Sequence, residues 1–309
     1  MTALANERVA YFNGKFVPER DVLIPFRDRG FMKGDAAFDT TRTFNHKIFK
    51  LREHLERFYR SLRYLQIDPR LSIGEMTGIT EEVVERNLHL IDGGDDYWVS
   101  QRVSRGLDSA DRIGRTSSPP TVIVECQPLP LGSRAKLFRD GIEVFVPSVR
   151  RAAPDMLSPR AKTHNYLNLT MGDMEARAHD PDAWAVLLDA NGNLCEGTGS
   201  NIFVVRGGTV MTPRERYVLP GISRETAIEL ARGIGQPLVE ADIDLYDAYT
   251  ADEAFLTSTS LCLCPVRSIA GRRMLDPAIP GPVTKRLLDA YAQFVGFDFV
   301  GQYKRHLKD

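Results

Sequence analysis

A chain of 309 residues, 43% of them apolar and 26% charged, has enough length to bury a large core and points to about two domains. Forty basic against 41 acidic side chains leave a formal charge of −1, and no long basic run marks a nucleic-acid or anionic-membrane partner. Four cysteines (Cys126, Cys195 and the C-x-C pair Cys262 and Cys264) and six scattered histidines offer neither zinc spacing nor a disulfide framework.

The opening MTALANERVAYFNGKF is polar, without the apolar stretch of a secretion signal, and no apolar run approaches the roughly 18 residues of a membrane span. A cytoplasmic setting is the expectation. Val9–Phe12 and Lys15–Val17 flank Asn13-Gly14, a type I′ hairpin signal. Residues 38–50 read as strand and turn. In REHLERFYRSLRYLQI, Leu55, Phe58, Leu62 and Leu65 follow the 3-4-3 spacing of an amphipathic helix. A second helix is predicted from Thr77 to Leu90, and strands over 97–105 and 120–126.

The Pro- and Gly-rich QPLPLGSR reads as a connector, giving an N-terminal domain 1–126, a connector 127–134 and a C-terminal domain 135–309. Beyond it, Ile142, Val144 and Val146 mark a strand. Further strands are predicted at 183–188, around Leu194, at 201–205 and at 209–211. Helices are predicted at 165–178, 224–232 and 282–295, the last with Pro at its first turn. Strands and helices alternate irregularly, so the class is α+β.

Four stretches could carry chemistry. Lys162, in SPRAKTHNYLNL, is one of nine lysines. Taken alone it fits a surface lysine more readily than a nucleophile, which would need burial or a nearby positive charge to lose its proton. Glu196 precedes a Gly-rich bend, GTGS, where a planar ligand can approach the backbone; a solvated hairpin glutamate is the plainer reading. In LPGISRET, Ser223 reads as the N-cap of a helix whose free N–H groups suit a phosphate, or of a helix start that binds nothing. Arg57 lies off the apolar stripe of its helix, solvated or aimed at a phosphate. A lysine, a carboxylate, an arginine and a helix N-terminus are together what pyridoxal phosphate requires.

In this order the pieces resemble the fold-type IV pyridoxal-phosphate enzymes: branched-chain aminotransferases, D-amino-acid aminotransferases, (R)-selective amine transaminases and aminodeoxychorismate lyase. The resemblance runs from about residue 8 to 300. It is closest to the branched-chain type in RRAAPDMLSPRAKTHNYLN, LCEGTGSNIFVV, LPGISRET, ADEAFLTSTS, PVRS and GPVTKRL. It implies a small α/β N-terminal domain, a larger barrel-like C-terminal domain, and at least a homodimer whose partner supplies part of the substrate pocket. It implies Lys162 as the Schiff-base lysine and proton shuttle, and Glu196 as the partner of the pyridinium nitrogen. Arg57, the N–H groups of Ile222 and Ser223 and the Thr259 hydroxyl would hold the phosphate, and Tyr166 the ring oxygen. Pocket candidates are Phe31, Lys33, Phe38, Arg42, Tyr97, Arg105 and Ser260.

The pattern is mixed. Only Thr163-His164-Asn165 separate Lys162 from Tyr166, one residue fewer than in the bacterial branched-chain pattern. DRGFMKGDAAFDTTRTF and VSQRVSRG resemble the D-amino-acid and (R)-amine enzymes, which would aim Arg105 at a carboxylate. Val99 stands where branched-chain enzymes carry an arginine for the side-chain carboxylate of glutamate. These hybrid motifs lead to a transaminase moving an amino group from an (R)-amine or D-amino acid to a 2-oxo acid such as pyruvate. An L-branched-chain aminotransferase is the alternative and aminodeoxychorismate lyase the third reading.

Overall fold

The computed structural model describes residues 7–107 and 118–307. The chain forms two compact units, the first running through Leu129 and taking in Ala161–Asn165, the second made of Pro130–Arg160 and everything from Tyr166 onward. Both mix helices and strands, the expected α+β class.

The first unit is a six-stranded antiparallel sheet carrying helices. Its strands are β1 (Val9–Phe12), β2 (Lys15–Pro18), β3 (Ala36–Phe44), β4 (Lys47–Ile48), β5 (Tyr97–Ser104) and β6 (Thr121–Pro128), in the order β2-β1-β6-β5-β3-β4. The β1–β2 turn has Asn13 at φ 48° and Gly14 at φ 94°, both left-handed as a type I′ turn demands. Its helices are α1 (Arg29–Lys33), α2 (Leu51–Leu65) and α3 (Ile73–Asn87). The α2 stripe of Leu55, Phe58 and Leu62 enters a core with Val99, Val103 and Val124. Helix α3 starts four residues earlier than predicted because Ser72 and Glu75 form a reciprocal capping box.

Residues 161–165 were expected in the C-terminal domain, and here the structure departs from the prediction. Phe38 N–H donates to Lys162 O (3.0 Å) and His164 N–H to Ala36 O (2.9 Å), and Ala37 and Thr163 form an antiparallel bridge. Lys162 N–H donates to Ser61 Oγ on α2 (3.0 Å). The cause is backbone accounting. Strand β3 pairs with β5 along one edge, while β4 covers only Thr43 and Phe44 on the other. The polar groups of residues 36–38 still need partners, and the lysine segment supplies them.

The second unit is built on β7 (Ile142–Phe145), β8 (Trp184–Leu188), β9 (Leu194–Gly197), β10 (Asn201–Arg206), β11 (Thr209–Pro213), β12 (Leu238–Ala241), β13 (Glu253–Ser258), β14 (Cys262–Ile269) and β15 (Arg272–Arg273). Strands β10-β13-β14-β7-β8-β9 follow in order, and β9 pairs back to β10 through Glu196 and Asn201, so six strands close into a barrel. Closure removes the free edge. Phe203 of β10 and Phe255 of β13 are register partners, both buried, with rings stacked at 4.7 Å. Helices are α4 (Leu131–Arg134), α5 (Leu137–Asp140), α6 (Leu167–His179), α7 (Ile222–Gly233), α8 (Leu245–Tyr249), α9 (Pro282–Val295) and α10 (Phe299–Lys304). The predicted connector is no open linker: Gln127 and Pro128 end β6, and Leu131–Arg134 is helical. No described helix is long and apolar enough to cross a membrane.

Candidate active site

In the first unit the lysine lies on its borrowed strand. Lys162 Nζ stands 4.5 Å from the centre of the Phe38 ring, which also carries the Arg102 guanidinium at 5.2 Å. The edge of His164 meets the same ring, centroids 5.3 Å apart. The His164 Nε2 is buried without a hydrogen-bond partner. Burial, with Arg102 nearby, lowers its imidazole to about 4, so it is neutral at physiological pH.

Arg57 is not solvated. It is 3% exposed, and its Nε and Nη2 donate to the two oxygens of Asp39 at 2.9 and 2.7 Å. His54 Nδ1 lies 2.7 Å from Asp39 Oδ1. His54, Arg57 and Ser61 are spaced three and four apart, a buried polar stripe beside the apolar one. The sequence reading missed it because His54 and Ser61 pass for surface residues until their spacing is set against Arg57.

In the second unit Glu196 lies on β9 at the barrel's closing bond and is 4% exposed. Its Oε2 accepts from Leu219 N–H (2.8 Å) and from Asn201 Nδ2 (3.5 Å), and its Oε1 accepts from Arg151 Nε (2.9 Å). All these partners are donors, and they engage both carboxylate oxygens. Arg151 lies in the stretch RRAAPDMLSPRAKTHNYLN, where the sequence assigns it no role. The adjacent Arg150-Arg151 offers no sign of which guanidinium turns inward.

Helix α7 begins at Ile222 with Gly221 as its N-cap, and no side chain caps it. The predicted cap Ser223 is instead inside the first turn, where its hydroxyl donates to Ser258 O (3.0 Å). The amides of Ile222 and Ser223 remain first-turn donors, short of an intrahelical acceptor. Thr259 occupies the turn between β13 and β14, and Thr257 Oγ1, near the end of β13, is buried without a hydrogen-bond partner. Tyr166 opens α6 and packs against the Leu169 and Ala185 cluster. Ser260 is 2% exposed; Arg134 Nη1 donates to its hydroxyl, and Tyr303 Oη to its carbonyl (2.8 Å).

Three pocket candidates are held by the chain's own groups. Arg42 is 1% exposed, donating from Nε to Thr43 O (2.9 Å), with Asp96 3.7 Å from its Nη2 and Phe44 beneath it. Tyr97 is 0% exposed in the core of the first unit and donates to Asn87 O (2.7 Å). Both serve the fold. Arg105 does face a carboxylate, but one of the chain's own: Asp35 takes its Nε and Nη2 at 2.7 and 3.0 Å, and the Leu65 and Gln66 carbonyls accept the rest of the fork. Phe31 and Lys33 are exposed on α1 and Phe38 is half-buried, so these three keep side-chain surface for a ligand.

Each unit carries groups that suit pyridoxal phosphate: the first a primary amine, the second a buried carboxylate for a ring nitrogen and first-turn amides with a hydroxyl-bearing turn for a phosphate. Comparison with known proteins agrees. The family described as Amino-transferase class IV matches residues 36–269. A putative branched-chain-amino-acid aminotransferase of Methanocaldococcus jannaschii is 36% identical over 283 residues, 91% of this chain and 94% of that protein. Aminodeoxychorismate lyase of Bacillus subtilis is 32% identical over 266 residues, 84% and 86% of the two chains. Among solved structures, the Thermoproteus uzoniensis branched-chain aminotransferase with norvaline superposes with TM-score 0.84, 28% identity and 97% coverage of both chains. The Thermobaculum terrenum branched-chain amino acid aminotransferase in its PLP-form gives 0.81, 26% and 98% of both. The chain belongs to the class IV aminotransferases. It is a pyridoxal-phosphate-dependent enzyme that transfers amino groups.

Proposed function

We propose that the enzyme is an L-branched-chain amino acid aminotransferase passing its amino group to a 2-oxo acid. The observation that carries this is full-length similarity to branched-chain enzymes, above 90% of both chains. It favours the alternative drawn from the sequence over the (R)-amine or D-amino-acid reading, whose support was local motifs. Arg105, one of those motif signals, is engaged by Asp35.

Lys162, Arg57, Tyr166, Glu196, Ile222, Ser223 and Thr259 act on one cofactor. The bound cofactor supplies the aldehyde that accepts an amino group and a ring that takes up the electron pair of the substrate carbon. Lys162 would hold the cofactor through Nζ and serve as the base and acid that moves the proton. The Phe38 ring, 4.5 Å from Lys162 Nζ, helps hold the side chain in place. Glu196, which accepts from Arg151, Leu219 N–H and Asn201, would pair with the ring nitrogen and keep a proton there. Arg57 and the first-turn amides of α7 anchor the phosphate, and Tyr166 donates to the ring oxygen. Phe31, Lys33 and Phe38 border the substrate.

The working unit is at least a homodimer, a reading supported by Leu23, Ile24, Phe26, Phe31 and Met32, apolar and exposed within ten residues. Four free, buried cysteines suit a reducing, cytoplasmic setting. The test is a single-turnover comparison of L-leucine, D-alanine and both enantiomers of 1-phenylethylamine, following bleaching of the lysine-bound cofactor's visible absorption. L-Leucine is expected to bleach it fastest, and Lys162→Ala to slow turnover by roughly a thousandfold or more. Bleaching by D-alanine or the (R)-amine but not by L-leucine would reverse the assignment.

A further inference from the structure

The second unit holds a cavity of about 230 Å³ that the roles above leave unused. Arg151 and Asp155 border it, with Asp189 and Asn191 of the β8–β9 turn and Arg216 and Tyr217. Its volume is below the roughly 300 Å³ at which pockets for drug-sized ligands begin, so it suits a small molecule. The Arg151 side chain is 10% exposed, and its Nε donates to Glu196 Oε1 at 2.9 Å. Its two Nη nitrogens donate to no acceptor among the described residues. A guanidinium largely withdrawn from water gains most from an acceptor, and its Nη1–Nη2 end is an edge that a carboxylate takes in a fork.

Charge decides the class of molecule. Asp155 is exposed and forms no ion pair among the described residues. Asp189 is 7% exposed; its Oδ1 accepts from Asn191 N–H (2.8 Å) and Asn193 N–H (2.9 Å), while its Oδ2 has only a long contact from Asn193 Nδ2 (3.3 Å). Arg216 is exposed, its guanidinium 6.0 Å from the centre of the Tyr217 ring. A bare anion would meet two carboxylates here and a bare cation two guanidinium groups, whereas a zwitterion offers each its opposite. We propose that this cavity is an accessory binding site for a small α-amino acid, its carboxylate on the Nη end of Arg151 and its ammonium toward Asp155 and Asp189. The bound carboxylate shares Arg151 with Glu196, so occupancy and the strength of the Arg151–Glu196 contact are linked. That the cofactor senses this link rests on the reading of Glu196 as partner of the ring nitrogen; the site itself does not.

The experiment takes holoenzyme reduced with borohydride, whose cofactor can no longer exchange with an amine, and titrates it with L-alanine by calorimetry. Binding of one equivalent per chain is expected. Arg216→Gln and Asp155→Asn, both at exposed positions that folding tolerates, are each expected to weaken it by about two- to fivefold, with turnover of the unreduced enzyme within about twofold of the parent. Arg151→Met is expected to weaken it by more than about tenfold. Acetate and methylammonium, which carry one charge each, are expected to bind at least about tenfold more weakly than L-alanine. Absence of binding, or binding indifferent to all three substitutions, overturns the site. Acetate binding as tightly as L-alanine overturns the amino-acid assignment in favour of a plain anion site. In the same titration the near-ultraviolet absorption of the reduced cofactor is expected to shift, since its ring nitrogen would respond to Glu196. Substitution-sensitive binding without that shift upholds the site and overturns the link to the cofactor.

Discussion

Glu196 accepts a guanidinium N–H on one oxygen and a backbone N–H on the other, at 2.9 and 2.8 Å, in a site only 4% exposed. Burying such a charge costs several kcal/mol unless it is paired, and removing one partner of a buried pair costs about 3–5 kcal/mol because the other charge is stranded. Arg151 is 10% exposed at its side chain, so the lower end applies. Arg151→Met is expected to destabilise the apoprotein by about 3 kcal/mol in urea denaturation. Arg151→Lys should recover under half of that, since a compact ammonium cannot reproduce the planar fork. If Arg151→Met were neutral, Leu219 and Asn201 alone would suffice to hold Glu196.

At the scale of elements, helix α7 depends on a glycine that is not strained. Gly221 has an ordinary φ of −67°, but a Cβ there would lie 2.3 Å from Asn201 Oδ1. Asn201 has little room to yield, because its Nδ2 is tied to Leu219 O at 3.1 Å and to Glu196. Gly221→Ala is expected to cost about 1–3 kcal/mol, concentrated in the first turn of α7. Faster hydrogen exchange at Ile222–Glu225 would show it; unchanged protection would mean Asn201 moves aside. Elements with a one-sided apolar pattern were legible in sequence: the β1–β2 hairpin, α2 and α9 lie within a residue or two of their predicted ends. Strands β13 and β14 were read only as motifs. β13 is buried at all six positions and β14 at seven of eight, so neither shows the alternation that marks a half-exposed strand. The residue types at Lys162, Glu196 and Arg57 were legible as a set, but their local partners were not. Asp39 lies 18 residues from Arg57 and Arg151 lies 45 from Glu196, with no local period linking them.

For the whole molecule, acid response follows from histidines held neutral. His164 is lowered to about 4 by burial, with help from Arg102, against an unfolded value near 6.5. The unfolded chain therefore binds a proton that the folded chain refuses across that interval. Stability is fully present above pH 6.5 and falls as pH drops toward 4. His54, lowered by burial, acts in the same direction, and Asp39 extends the loss to lower pH. His164 alone is expected to remove about 2 kcal/mol between about pH 7 and pH 5. His164→Gln should flatten the dependence by that amount in urea titrations at the two pH values, and an unchanged slope would place the acid sensitivity elsewhere.

The five residues Ala161–Asn165 belong to the first unit yet are flanked on both sides by chain of the second, so the polypeptide passes from one to the other three times. This sets a rule of inheritance for recombined genes. A single crossover after Leu129 would unite one parent's Ala36–Phe38 with the other parent's Lys162–His164, although each supplies the other's backbone hydrogen bonds. Shuffling that respects sequence order thus separates the lysine from the strand that seats it. Viable chimeras are expected to be those in which the two short segments descend from the same parent.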